Sequence, residues 1–377
     1  MTTLRGITWD HPRGYQGLHV ATDAYHVLRP EVRIEWEKHS LHHFESHPIG
    51  DLADKYDFII LDHPFMGDAY TQQCLIDLSA YEVEIGLEDL SSDVVGQSYE
   101  SYLYGDGLWA IPLDASCQMA PYRADLLNAL DEAPPTTLAE MQNLAKKGLF
   151  AIGLNGVHSF TLFLAICVDL GAEPSTVPER PLVPEDVGLE ALEIMREFAG
   201  WCPAEALDWN SIATLEAMSH RDDLLYCPYV YGFSSYSHES VKLGRLTFTN
   251  VPRISGPSRR GSVIGGTGLA ISRKCESVNE AVSFASFATS REVQKAMALH
   301  AGQPARRSAW LDAEVNSRFD GFYRNTLETI DGSYLRPRYP GYMRLQGEGG
   351  DIIEGYLRNP RSEREVLADL GRLHAGQ

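Results

Sequence analysis

No apolar run in this chain approaches the ~18 residues that cross a bilayer. The longest candidate, Phe160 to Val168, is far too short, so a membrane-spanning protein is not expected. Basic residues are in the minority: 32 Lys and Arg stand against 52 Asp and Glu, a net charge of −20. That balance argues against nucleic acid as a partner, because neutralising phosphates takes clustered Lys and Arg. Cysteines are few and scattered, at 74, 117, 167, 202, 227 and 275. No C-x-x-C and no zinc spacing occurs among them. They read as buried free thiols, with pairing open in an oxidising compartment. The run Gly265-Gly266-Thr267-Gly268 lacks the Gly-Lys-Ser/Thr of a Walker loop and does not open a helix as a Rossmann fingerprint does. Met1 to Asp10 has no apolar h-region and no small-residue cleavage site. A cytoplasmic location is expected from the sequence as it stands, and a periplasmic or cell-surface one if the start omits a signal.

What is present is an ordinary globular chain. At 377 residues, 44% of them hydrophobic, about two domains are expected. Strand and helix signals alternate. Leu4 to Trp9 is a short apolar strand, a helix follows from about Gly17 to Leu28, and Val32, Ile34 and Trp36 recur at period two. Tyr56 to Leu61 is an apolar run ending in Asp62-His63-Pro64, and Leu108 to Leu113 is another, followed by Asp114 to Gln118. Thr137 with Glu140 opens a capped helix; further helices are expected over Phe160 to Leu170, Val187 to Ala199 and Thr214 to Asp223. Ser362 to Leu373 carries Val366, Leu367, Leu370 and Leu373 at helical spacing and reads as a docked amphipathic helix. The alternation predicts α/β structure with a mainly parallel sheet. In such sheets ligands bind beyond the carboxyl ends of the strands. Trp9-Asp10-His11 and Asp62-His63-Pro64 therefore mark either a binding edge or plain turns.

Val263 to Trp310 is the most structured stretch. Gly265, Gly266 and Gly268 let backbone approach a ligand or another segment closely, or simply feed a core strand over Gly268 to Ser272. Ser277 with Glu280, then Thr289 with Glu292, have capping-box spacing, and Gly302 suits a helix C-terminus needing positive φ. Three other features stay ambiguous. His39, His43 and His47, with His42 nearby, share one helical face as metal ligands can, yet Glu45 and Pro48 suggest a solvated helix end. Cys117 and Cys227 follow strands, where a Cys–His pair with His11 or His63 would make a nucleophile, or where small thiols are merely buried. Arg336 and Arg338 alternate with Tyr334 and Tyr339, which suits either anion recognition or a cation–π surface loop.

The order of motifs resembles one family. Tyr56-Asp-Phe-Ile-Ile-Leu-Asp62, Leu108-Trp-Ala-Ile-Pro-Leu-Asp114, Tyr122-Arg-Ala-Asp-Leu-Leu127, Pro134-Pro-Thr-Thr-Leu-Ala-Glu-Met141, Asp223 to Gly232, Gly266-Thr-Gly-Leu-Ala-Ile-Ser272 and Gln303-Pro-Ala-Arg-Arg-Ser-Ala309 follow in the sequence. Together they resemble the extracellular solute-binding proteins of carbohydrate ABC importers, the maltose-binding-like type II periplasmic binding proteins. Leu138 stands where that family usually has tryptophan. The resemblance implies two α/β lobes joined by a hinge around a central cleft. Lobe one would be 1–112 plus 257–311 and lobe two 113–256 plus 312–377, with crossings near 112 to 114, 252 to 257 and 310 to 313.

The same resemblance places Trp9, His11, Asp62, His63, Asp114, Tyr229, Tyr231, Gly266, Thr267 and Arg306 in the cleft. Asp accepts hydrogen bonds from hydroxyl groups, Arg donates several, and Tyr and Trp offer apolar faces with a polar tip, a set that suits a carbohydrate or related polyol or acid. No catalytic residue, cofactor or metal is expected. A monomer is expected, with ABC permease subunits as partners. The alternative is a cytoplasmic enzyme on the same fold, using Asp, His and Cys of the cleft.

Overall fold

The computed structural model describes residues 1–256 and 261–376, apart from the side chain of His42. Residues 257–260, where the expected crossing near 252 to 257 ends and the second segment of lobe one begins, lie outside the described residues.

Eleven strands occur among the described residues: β1 (Thr2–Trp9), β2 (Val32–His39), β3 (Phe58–Leu61), β4 (Leu103–Tyr104), β5 (Gly107–Leu108), β6 (Ile111–Tyr122), β7 (Leu149–Phe150), β8 (Leu224–Tyr226), β9 (Val230–Tyr231), β10 (Thr247–Thr249) and β11 (Ile264–Ile271). All but β4 and β5 join one sheet in the order β2-β1-β3-β11-β6-β8-β7, with β9 and β10 also on β6. The sheet is parallel at its two ends, β2-β1-β3 and β8-β7, and antiparallel through its middle, where β11 lies between β3 and β6. The mainly parallel sheet of the sequence reading therefore holds only for the ends. Helices cross over β1 to β3, but β6 and β11 return the chain directly.

The long strand β6 is what divides and joins the molecule. Its residues from Ile111 to Cys117 pair with β11, and those from Gln118 to Tyr122 pair with β8, β9 and β10. Ile111, Leu113, Ala115, Cys117 and Met119 enter a first core with Ile7, Phe58, Ile60, Leu269 and Phe284. Ala120 enters a second core with Phe150, Phe160, Phe163, Phe198, Tyr226 and Ile353. The first core also takes Phe233, Phe248, Val315 and Phe322. The second is built around the helix Gly156–Asp169, which is buried almost all round. A helix apolar on every side belongs inside a domain. The C-terminal helix Glu363–His374 docks on this core through Val366 and Leu370, as its spacing predicts.

Local chemistry explains several departures from the expected boundaries. β6 runs nine residues past Leu113, because Asp114, Ser116 and Gln118 are buried polar residues inside a strand rather than a turn. β11 begins at Ile264, so the glycines belong to the strand itself. Gly266 has φ of 103°, and a Cβ there would stand 2.5 Å from the Asp114 carbonyl oxygen, so only glycine fits. The box at Thr137 closes one residue early: Glu140 N–H donates to Thr137 Oγ1, while the Glu140 carboxylate accepts from Thr136 N–H at 2.7 Å. Ser277 makes no side-chain cap bond, and Thr289 Oγ1 donates back to Ala285 O, ending one helix instead of opening the next. The positive φ after the helix Arg291–Ala298 falls on Ala301, not on Gly302.

One buried carboxylate pins the return from the second core towards β11. Asp169, 1% exposed, accepts from Ile254 N–H at 2.8 Å, Ser255 N–H at 2.9 Å and Gly261 N–H at 3.1 Å. Asp169→Ala leaves three amide donors without their shared acceptor and is expected to cost about 2 kcal/mol of stability. Asp169→Asn keeps an oxygen for Ile254 and Ser255 and should recover part of the loss. Denaturant midpoints of the three proteins check this; equal midpoints would refute it.

Candidate functional site

A cavity partly open to solvent lies where the two cores meet. Its first wall is the end of β1 and the start of helix α1 (Pro12–Leu28), which supply Trp9 and Arg13. The helix α2 (Leu41–Ser46) adds Phe44 and Glu45, and the turn after β3 adds Asp62 and Phe65. Tyr231, Phe233 and Gly265 to Thr267 form the floor. The opposite wall comes from helix N-termini: His158 and Ser211 from the starts of Gly156–Asp169 and Ser211–His220, and Gln346 from the first turns of Tyr342–Arg358. Helix N-termini carry a partial positive charge and aim N–H groups outward, which suits oxygen-rich ligands.

Trp9, Asp62, Tyr231, Gly266 and Thr267 of the sequence-derived set line this cavity. The other five are placed differently. His11 caps α1, its Nδ1 accepting from Arg13 N–H at 3.1 Å, and its ring stacks on Trp9 at 5.3 Å. Burial and the Arg13 charge hold it down to about 4, so it is neutral at pH 7. His63 is completely buried behind Asp62. Asp114 sits mid-strand beneath the cavity and is occupied by Arg13. Tyr229 is in the second core, its ring 6.4 Å from Phe198. Arg306 is bound elsewhere: it donates to Thr289 O, to Asp89 O and to the Asp89 carboxylate at 2.6 Å.

Two buried ion pairs set the field. Arg13 forks onto Asp114, Nε to Oδ2 at 2.9 Å and Nη2 to Oδ1, and its Nη1 donates to Gly232 O at 3.1 Å. Its guanidinium lies between the Trp9 and Phe233 rings, 5.7 and 5.0 Å from their centroids. Burial lifts the Asp114 carboxyl above its usual range, with Arg13 opposing. Arg336, 3% exposed, donates to Gln346 Oε1 at 2.7 Å and to Asp62 Oδ2 at 2.6 Å. For Asp62 burial pulls upward, but Arg336 and His63 outweigh it and keep the carboxylate ionised. Glu45 has no such cation of its own among the described residues. Burial, then the Asp62 charge, push it up to about 7, against the pull of Arg336.

Among the described residues the cavity thus pairs Arg13 with Asp114 and Arg336 with Asp62, between apolar faces. Its lining residues also keep four buried polar atoms with no hydrogen-bond partner among the described residues: Trp9 Nε1, Tyr231 Oη, His158 Nε2 and Arg336 Nε. Buried polar groups in folded proteins are nearly always bonded, so a cluster of four beside one cavity is what a polar ligand would satisfy.

Sequence reasoning missed Arg13, Phe44, Glu45, His158, Ser211, Phe233 and Gln346. Arg13 lies two residues after a candidate, and Glu45 and Phe44 lie inside the histidine row that drew attention as a metal face. That row is broken: His39 ends β2, and His47 follows α2. Among the described residues no group of three or more His, Cys, Asp or Glu could hold a metal ion. Cys117 and Cys227 are fully buried; burial pushes Cys117 up to about 12 and Cys227 well above the thiol range. Neither supplies a thiolate at neutral pH. Among the described residues no helix is long and apolar enough to cross a membrane.

Residues 50–318 match the family model of the bacterial extracellular solute-binding proteins. No curated protein matches the chain in sequence. Solved structures do match in shape. Maltose-bound MalE3 of T. maritima superposes with a TM-score of 0.84 at 17% identity, covering 99% of each chain. An ABC transporter solute-binding protein from Agrobacterium radiobacter in complex with ribitol gives 0.81 at 19% identity, covering 100% of this chain and 98% of the other. One from Thermotoga lettingae, bound with α-D-tagatose, gives 0.84 at 14%, covering 100% and 99%. These likenesses establish the fold: two α/β lobes of the periplasmic-binding-protein type, hinged around a central cleft.

Proposed function

The chain belongs to the bacterial extracellular solute-binding proteins, and from that premise we propose that it captures a small, neutral, polyhydroxylated solute, a carbohydrate or related polyol, for import by an ABC permease. The observation that carries this reading is the cavity itself: apolar ring faces, balanced ion pairs and unpartnered polar atoms around one space. Trp9, Phe44 and Phe233 suit the C–H face of a sugar; Tyr231, His158, Gln346 and Arg336 Nε suit its hydroxyl groups. A free anion is less well matched, because Arg13 and Arg336 each already serve a carboxylate. The solutes of the similar structures, maltose, ribitol and tagatose, support the same class.

In this reading lobe one comprises 1–112 and 257–311, and lobe two 113–256 and 312–377. The lobes close over the solute by hinge motion, a population shift driven by contacts made in the closed form. Trp9, Asp62, Tyr231, Gly266 and Thr267 act in binding, and Arg13, Glu45, His158, Arg336 and Gln346 join them. His11, His63 and Asp114 act behind the surface, by positioning Trp9, Asp62 and Arg13. The family's extracellular setting supports the periplasm or the cell surface as the place of capture.

A thermal-shift series with maltose, ribitol, D-mannitol and D-tagatose, against citrate and sulfate, tests this. A solute at a hundredfold excess over its Kd adds about 2.7 kcal/mol, roughly 3 °C in Tm for a chain of this length. Trp9→Ala is expected to weaken binding by about 30-fold, the loss of one aromatic anchor. A rise with the anions and none with any neutral solute would defeat the reading.

A further inference from the structure

The segment from Arg336 to Gly341 begins and ends on the second core, anchored by Tyr334 on one side and by Tyr342 and Leu345 on the other. Between those anchors Tyr339 keeps to the second core, its Oη 3.1 Å from His374 Nδ1, while the backbone and both arginines lie against the first core. Gly67, on the helix Met66–Gln72, packs directly beneath it: a Cβ there would stand 2.0 Å from the Arg338 carbonyl oxygen and 2.7 Å from Pro340 N. Gly341 N–H donates to Asp68 Oδ1 at 3.0 Å. Arg338 Nη1 donates to the carbonyls of Glu100, Ser101 and Leu103, the last at 2.6 Å. Arg336 reaches Asp62, also on the first-core side. Pro337 and Pro340 restrict the backbone between these contacts, so the segment gives up little entropy when it seats.

We propose that Arg336–Gly341 is a strap that ties the two cores together across the cavity, and that Gly67, Asp68 and Arg338 are positioning residues that hold it down. None of the three lines the cavity. They act through Arg336, which the seated strap delivers to Asp62 and Gln346. The arrangement has two discrete states. Seated, Arg336 balances Asp62. Lifted, Asp62 is left facing Glu45 with no cation between them, so partial lifting is disfavoured and the strap moves as a unit. Retention of a captured solute then depends on strap seating, and this part rests on the cavity being the solute site.

The test uses the full chain, first without solute. In Arg338→Ala the Gly341 amide should exchange about tenfold faster, a local opening that leaves global stability alone. Arg338→Lys, which keeps a donor for the carbonyls, should return part of the protection. Gly67→Val, a wedge under the strap, should speed the same amide and raise the radius of gyration in solution scattering. Amides of β3 should keep wild-type exchange in all three. Wild-type exchange of Gly341 in both Arg338→Ala and Gly67→Val overturns the strap, and so does an equal acceleration in β3, which would mean general loosening. In a second arm, maltose and ribitol dissociation is followed by stopped-flow tryptophan fluorescence. About tenfold faster release in Arg338→Ala supports the retention role. Unchanged release with accelerated Gly341 exchange overturns that role and leaves the cavity reading standing. If wild type binds neither these nor any other carbohydrate or polyol, the cavity reading fails, and the exchange data alone decide the strap.

Discussion

Arg13→Met is expected to lower the unfolding free energy by about 4 kcal/mol, measured by denaturant titration without added solute. The side chain leaves the first turn of α1, 8% exposed, between two aromatic rings, with its fork on an equally buried Asp114 of β6. Methionine keeps the apolar stem between Trp9 and Phe233, so little packing is lost. What is lost is the cation. Asp114 then remains on β6 as an unpaired charge or takes up a proton, and either is costly at a position this buried. The second half of the cycle separates the charge from the packing. Adding Asp114→Leu to Arg13→Met removes the stranded carboxylate and should return most of the stability, because an apolar pair of similar volume often matches a buried ion pair. A single variant as stable as wild type, or a double variant no better than the single, would show that the pair does not hold this junction.

The same pair shows why β6 was only half legible. Its first residues, Ile111 to Leu113, are an apolar run and read as a strand. From Asp114 on, polar residues alternate with Ala115, Cys117 and Met119, and a charge after an apolar run reads as a turn. The strand continues because each polar group has a distant partner: Arg13 for Asp114, Gly232 O for the Ser116 hydroxyl, Val263 N–H for Gln118 Oε1. Those partners are 100 residues and more away, so nothing local announces them. By contrast, β1, β2 and β3 were readable because burial alone shapes them: all four residues of β3 are apolar and buried. The middle of the sheet turned out antiparallel for the same non-local reason, since β11 enters it from far along the chain.

For the cavity, the strand-end rule found Trp9 and Asp62, and the glycine run found Gly266 and Thr267. His158 and Ser211 were out of reach, because a helix N-terminus becomes part of a site only when packing brings it there. Arg306 was misplaced for an instructive reason. A Pro-Ala-Arg loop looks like a presented guanidinium, but Asp89, Asp93 and the Thr289 carbonyl consume it at once. Arg336 was read as an anion receptor or as part of a surface loop, and it is neither: it is buried, with an acid already attached.

Acidification from pH 7 to pH 5 is expected to remove about 4 kcal/mol of stability, by linkage to histidines kept neutral in the fold. His11, His39, His63 and His158 are each held down to about 4, chiefly by burial, against an ordinary value of 6.5. As pH falls, the unfolded chain takes up these protons first. Stability is therefore lost between pH 6.5 and 4. A fully realised shift of this size removes about 2 kcal/mol per histidine between pH 7 and 5; His63 and His158 are buried enough to show it, and the part-exposed His11 and His39 count for less. Glu45 runs the other way. Its folded carboxyl sits at about 7 against 4.5, so the folded state holds a proton that the unfolded chain has released. The stability this contributes is full below pH 4.5 and is lost as pH rises through 7, so on acidification it returns about 2 kcal/mol. The histidines win, and the net is a decline. Glu45→Gln removes the opposing proton and should steepen the fall to about 6 kcal/mol. His63→Gln removes one of the driving groups and should flatten it. Unfolding free energies at pH 7, 6 and 5 for the three proteins decide the matter: a flat or rising wild-type profile would contradict the histidine account, and a Glu45→Gln profile parallel to wild type would contradict the placing of a protonated carboxyl beside Asp62 and Arg336.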